Sequence, residues 1–189
     1  MKFRLSDLMY LLPTLLMCAG LYLATVSSSI SVVDSSLLMM VCDANGIARA
    51  PGYPLATLIC HPMMSLPFEG AIPGNLFSTL FAILTLCALY ALCRLIDLSE
   101  LESALAVGVM AVSTVFWSQS IVLEVYTLGS FLFLCVLVCC LRSFKGGDGR
   151  WLVAGSFFLG LGLANHWPGT VTSSLCLLPF LLGKTHALL

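Results

Sequence analysis

The sequence predicts an all-α, polytopic membrane protein of about six transmembrane helices, with a large first outer loop carrying short interfacial helices. Three observations carry this reading. Of 189 residues, 60% are hydrophobic and only 9% charged, where a soluble domain has about 25% charged residues; so few charges cannot cover a globule in water. Uncharged runs recur at the length of about 20 residues that crosses a hydrocarbon core. Threading the chain through six spans places seven of its eight Lys and Arg residues on one side, as the positive-inside rule expects. The bilayer is thus the first implied partner. A net charge of −1, with no basic run interleaved with aromatics, argues for no nucleic-acid partner.

The spans are expected at about 8–33, 71–93, 103–118, 125–141, 151–165 and 168–183, with the outer loop at 34–70. A cleavable signal peptide is the rival for the first run, which is longer than the roughly 7–15 apolar residues of a signal core. With the N-terminus in the cytoplasm, Lys2, Arg4, Arg94, Arg142, Lys145, Arg150 and Lys184 fall inside and Arg49 alone falls outside. The inner connections "RLIDLSELE" and "RSFKGGDGR" are short, and Asp97, Glu100 and Glu102 read as a solvated turn. No internal repeat is present, and the whole chain reads as one transmembrane module, expected to be the N-terminal part of a longer protein.

The outer loop opens with Asp34-Ser35-Ser36, side chains that accept bonds from the free N–H groups of a first helical turn. Pro51 and Pro54 bracket Gly52 and Tyr53, a rigid turn with a flexible centre. "LATLICHPMMSL" reads as a short amphipathic or re-entrant helix stopped by Pro62 or Pro67.

Two of the later spans are short. Residues 103–116 cover about 21 Å at 1.5 Å per residue, less than a core of about 30 Å, and 151–164 cover a similar length. Their tips, "WSQSIVLE" and "NHWPG", should lie below the membrane surface, where polar groups face a protein-lined, watery cavity. Asp34, Arg49, Gln119, Glu124, Asn165 and His166 are expected to converge there. Each also has a plainer reading: Asp34 as a helix cap, Arg49 as a headgroup anchor, Glu124 as a structural partner of Asn165 or His166, and Tyr53, Trp117, Tyr126 and Trp167 as belt aromatics. The nine cysteines follow no metal-ligand spacing, and no metal is expected. Cys42 and Cys60 share the outer loop and can pair in an oxidising compartment.

In "VVDSSLL", "APGYPLATL", "GNLFSTLFAIL", "FWSQSIVLEVYTL" and "GLGLANHWPG", the order and spacing resemble the DUF-type transmembrane O-mannosyltransferase-like family of the GT-C membrane glycosyltransferases. Asp34, Pro51, Gly52, Tyr53, Pro54, Leu55, Asn75, Trp117, Glu124, Tyr126, Asn165 and His166 match its pattern. The chain departs from that pattern at three places: Leu37 stands for an acidic residue, Arg49-Ala50 for His-Pro, and Gly129 for Asn.

The resemblance implies transfer of a sugar, such as mannose, from a polyprenyl-phosphate donor to a protein or glycan acceptor on the luminal or periplasmic face, in the endoplasmic reticulum membrane or a bacterial inner membrane. The lipid-linked sugar is a substrate, and no cofactor is implied. Asp34 is the expected catalytic base. Arg49, Gly52, Tyr53 and His166 are expected to bind donor and phosphate, guanidinium being suited to phosphate. Glu124, Tyr126, Gln119 and Asn165 would support the cavity. A non-catalytic or degenerate subunit, favoured by Leu37, and a small transporter with Glu124 and His166 on its pathway remain the alternatives.

Overall fold

The computed structural model describes residues 4–31, 34–50 and 52–177, apart from the Cys176 side chain. These residues form helices α1 (Leu5–Thr25), α2 (Asp34–Asp43), α3 (Pro54–Met63), α4 (Ile72–Leu95), α5 (Glu100–Val112), α6 (Thr114–Ser120), α7 (Tyr126–Gly146) and α8 (Arg150–Ser174), then a 3₁₀ turn at Leu175–Leu177. The all-α class expected from the sequence is found, and the chain is a membrane protein.

Among the described residues, α1, α4 and α7 are long and apolar enough to cross a membrane, and a fourth span is gained if α5 and α6 count together. The first expected span is too long at its C-terminal end: α1 stops at Thr25, and Ser27 leaves the helix to bond Ile121 through its backbone N–H at 3.1 Å. The third expected span is broken, with α6 bent 70° from α5 at Ser113, whose extended backbone ends α5. The fifth and sixth share α8, which leaves helical geometry at His166 (φ −154°, ψ 87°). Pro168 then sits in the first turn of the new segment, where a missing N–H costs nothing. The chain doubles back there, bringing Thr170 against Gly162. Residues 178–183 lie outside the described residues, as do Lys2, Pro51 and Lys184.

Helix α7 packs between α4 and α8, and α4 also packs on α1 and α5. One apolar core joins α1, α4, α5 and α6 through Tyr22, Leu86, Tyr90, Val107 and Phe116. The other lies under the long loop, where Met39, Ala56, Phe77, Leu123 and Leu128 meet. Leu5, Met9, Val109 and Val153 are exposed, as lipid-facing side chains should be.

Polar contacts fix the end of the bundle away from the long loop. Asp7, only 1% exposed, accepts from Arg94 Nε at 2.7 Å and from the Tyr90 hydroxyl at 3.2 Å. Arg94 also reaches Glu100 at 3.0 Å and the Leu98 carbonyl. The turn between α4 and α5 makes this possible. Asp97 takes a left-handed φ of 68°, while Leu98 N–H returns to the Cys93 carbonyl and Asp97 N–H to that of Arg94, which is a Schellman ending. Ser99 and Glu102 then cap α5 reciprocally. "RLIDLSELE" is therefore not merely a solvated turn: Asp97 pairs with Lys145 at 2.6 Å, Glu100 with Arg94, and Glu102 with Ser99.

Candidate functional site

The long loop folds into α2 and α3, joined by a Cys42–Cys60 disulfide and by His61 Nδ1 against the Cys42 carbonyl at 2.8 Å. Asp34 begins α2, where a helix favours negative charge. Arg49 Nη2 donates to Asp34 Oδ1 at 2.6 Å, and both side chains are substantially exposed. The turn after Arg49 is closed by Gly52 N–H on the Arg49 carbonyl at 2.8 Å, with Gly52 at φ 74°. Pro54 opens α3. The two charges thus face each other from opposite ends of the loop's first half.

Glu124 comes from the α6–α7 connection. Burial, and next the negative charge of Asp34, push its carboxyl up to about 7, against a smaller pull down from the Val125 N–H. The connection is pinned from α4. The Ser78 hydroxyl bonds both the Glu124 N–H at 2.8 Å and the Glu124 carbonyl at 3.1 Å. Asn75, 1% exposed, accepts from Leu123 N–H at 2.7 Å and donates to the Ser27 carbonyl at 2.8 Å. One amide therefore ties the α1 exit to the Glu124 loop. Gly70, with φ 64°, helps close this corner: Ala71 N–H bonds the Ser28 carbonyl, and a Cβ on Gly70 would meet that oxygen at 2.6 Å.

The α8 break supplies the third part. Asn165 is fully buried and donates to the Val125 carbonyl at 3.0 Å, while its Oδ1 has no partner among the described residues. Nδ1 of His166 accepts from Gly169 N–H at 3.1 Å, capping the segment that follows. In neutral His166 the ring proton is then on Nε2, which can donate. Its ring stacks on Tyr53 at 5.7 Å and meets Tyr126 edge-on at 5.9 Å. A cavity of 220 Å³ opens beside His166, Tyr126, Gly129 and Thr170.

The expected convergence is largely present. Asp34 and Arg49 meet, Glu124 lies within the field of Asp34, and Tyr53, His166 and Tyr126 form one ring cluster that joins the loop to α7 and α8. Asn165 reaches the residue after Glu124. Gln119 lines a neighbouring 560 Å³ cavity with Phe116 and Thr127, which shares Tyr126 and Ser130 with the cavity beside His166. Gly52 and Tyr53 also border an apolar cavity of 360 Å³ inside the long loop.

Ser78 was not singled out by the sequence reading, and Asn75 appeared there only as a motif match. Their signal is present in "GNLFSTLF", where Asn75, Ser78 and Thr79 fall at helical spacing on one face of an otherwise apolar helix. Asn75 bonds into the α1 exit, Ser78 into the α6–α7 connection and Thr79 onto the end of α6.

Bundle, broken helices and disulfide-joined loop together define a polytopic helical membrane protein with a polar site at one end. The chain belongs to the family described as protein O-mannosyl-transferase TMEM260 N-terminal domain, whose model matches residues 34–185. It is 30% identical over 173 residues to the mouse protein O-mannosyl-transferase TMEM260, a match that covers 88% of this chain and 24% of the mouse protein. The chain thus spans about a quarter of that relative's length. No solved structure matches it.

Proposed function

We propose that this chain carries the acceptor-activating and phosphate-holding residues of a GT-C-type membrane glycosyltransferase. The enzyme would move a sugar, mannose by the name of the mouse relative, from a polyprenyl-phosphate donor to a protein or glycan acceptor. Family membership supports a glycosyltransferase-like role. The observation that carries the reading further is the Asp34–Arg49 pair at the mouth of the polar site.

In this reading the acceptor hydroxyl gives its proton to the Asp34 oxygen that Arg49 does not engage. The acceptor oxygen bonds the anomeric carbon as the bond from that carbon to the phosphate oxygen breaks. The electron pair leaves with the polyprenyl phosphate, whose growing negative charge needs donors. Arg49 has N–H groups beyond the one given to Asp34, and His166 Nε2–H offers another. Tyr53 and Tyr126 would flank the sugar. Glu124 supplies a second carboxyl near Asp34, from the α6–α7 connection rather than from position 37.

The placement of the basic residues supports one sidedness. Arg4, Arg94, Arg142 and Lys145 line one cleft at one end of the bundle, and Arg49 stands with Asp34 by the disulfide-joined loop. This favours a cytoplasmic N-terminus and an oxidising luminal or periplasmic site. Leu37, apolar where the family pattern has an acid, favours a second reading as a non-catalytic subunit.

Proteoliposomes of the full-length gene product, supplied with polyprenyl-phosphate mannose labelled in the sugar and with acceptor peptide, test the proposal. Label should pass to the peptide. Donor binding with no transfer to any protein or glycan acceptor would favour the non-catalytic reading.

A further inference from the structure

The far end of the bundle holds a second polar cleft, of 500 Å³, between the start of α1, the ends of α4 and α7, and the start of α8. Two of its four cations are already engaged. Arg94 is held by Asp7 and Glu100, and Lys145 by Asp97. Two guanidinium groups are not. Arg4 bonds Asp7 through its backbone N–H and carbonyl, and its side chain makes no ion pair among the described residues. Arg142 lies 4.5 Å above the Trp151 ring, and its Nε is shielded from solvent without a hydrogen-bond partner there. A buried N–H of a guanidinium is costly to leave unmade, and stacking on an indole does not satisfy it.

We infer that this cleft binds a phosphate-bearing anion, through the Arg4 and Arg142 guanidinium groups with Trp151 as a platform. Guanidinium presents a planar fork that matches phosphate oxygens. The surroundings favour a phospholipid headgroup over free phosphate. Leu5, Met9 and Val153 are 78%, 71% and 73% exposed just beyond the cleft on α1 and α8, so acyl chains can lie along those helices while the phosphate enters. Trp151 sits where interfacial aromatics gather, and basic pockets between helices are a known form of anionic headgroup site. The inference does not rest on the glycosyltransferase reading, because no residue is shared with that site.

Native mass spectrometry of the full chain, released from mixed vesicles of phosphatidylcholine and phosphatidylserine, tests it. The protein should retain phosphatidylserine in preference to phosphatidylcholine. Arg142→Ala and Arg4→Ala should each weaken retention about fivefold, the scale of one basic residue at an anionic surface. Arg150→Ala should not, because Arg150 pairs with Asp148 outside the cleft. Arg4→Ala alters an exposed side chain and serves as the readout should Arg142→Ala fail to fold. Added inorganic phosphate separates the two sources. Retention that survives it identifies the lipid, and displacement with direct phosphate binding identifies free phosphate in the same cleft. Equal retention of both lipids with no phosphate binding overturns the inference, as does an equal loss in Arg150→Ala.

Discussion

Asn75→Ala is the substitution that best tests how the site is built. The amide ties the α1 exit at Ser27 to the Glu124 loop at Leu123, with bonds of 2.8 and 2.7 Å, beside the direct bond of the Ser27 N–H to the Ile121 carbonyl. Alanine keeps α4 helical, having the highest helix propensity, but leaves the Ser27 carbonyl and the Leu123 N–H without partners. An orphaned buried group costs about 1–3 kcal/mol, so the two together set a ceiling of about 6 kcal/mol. Interhelical side-chain bonds in a membrane protein average about 0.6 kcal/mol each, which sets a floor of about 1 kcal/mol. A loss of about 2–4 kcal/mol is expected between those limits. Reversible denaturation in mixed micelles measures it. Asn75→Asp, which keeps an acceptor for Leu123 but sets a buried carboxylate against the Ser27 carbonyl, should cost at least as much as alanine at neutral pH. A loss below about 0.5 kcal/mol in Asn75→Ala, within the range of ordinary surface substitutions, would refute the idea that this amide holds the loop.

Three further outcomes follow from the same contacts. The Glu124 carboxyl titrates near 7 in the fold against 4.5 ordinarily, so the folded state binds that proton more tightly; this group favours the fold fully below its ordinary value, and the gain disappears as pH rises through about 7. Thermal melts across that window should show the step, Glu124→Gln should flatten it, and Asp34→Asn should move its midpoint down by removing one of its causes. Asp7→Ala leaves Arg94 half-buried with only Glu100 as an acidic partner, and should cost about 3 kcal/mol, the low end for a broken buried pair, in the same denaturation assay. Cys42 and Cys60 should resist alkylation until the protein is reduced, and Cys42→Ala should lower stability by about 3 kcal/mol, the scale for closing a loop of this size.

Much of the fold could be read from hydropathy because lipid makes the rule simple: long apolar runs must be helices. The helix break at "NHWPG" was legible too, since Pro168 lacks an N–H and His166 can cap. What hydropathy missed were the turns inside apolar sequence. Residues 26–31 carry no charge and so read as a continuation of α1, yet the helix ends there because Ser27 and Ser28 bond Ile121, Asn75 and Ala71 instead. The bend at Ser113 is equally silent in a hydropathy count. Glu124, Asn165 and His166 stand out as polar residues in apolar runs, while Gln119, five residues before Glu124, reaches the site only across Tyr126, whose two neighbouring cavities no residue count could show. Asp7 escaped notice because it sits at the edge of the first run, where a charge looks ordinary.

The central claim is that Asp34 takes the proton from the acceptor hydroxyl, and its direct test is the rate of sugar transfer by full-length protein carrying Asp34→Asn. Asparagine keeps the size and can still serve at a helix start, but it cannot accept the proton. With polyprenyl-phosphate mannose and acceptor peptide at saturation, the account predicts a turnover about 10²–10⁴-fold below wild type, the usual weight of a general base, with donor affinity close to unchanged. Turnover within about threefold of wild type, far inside that general-base range, would contradict it and return Asp34 to the role of a residue that only begins α2.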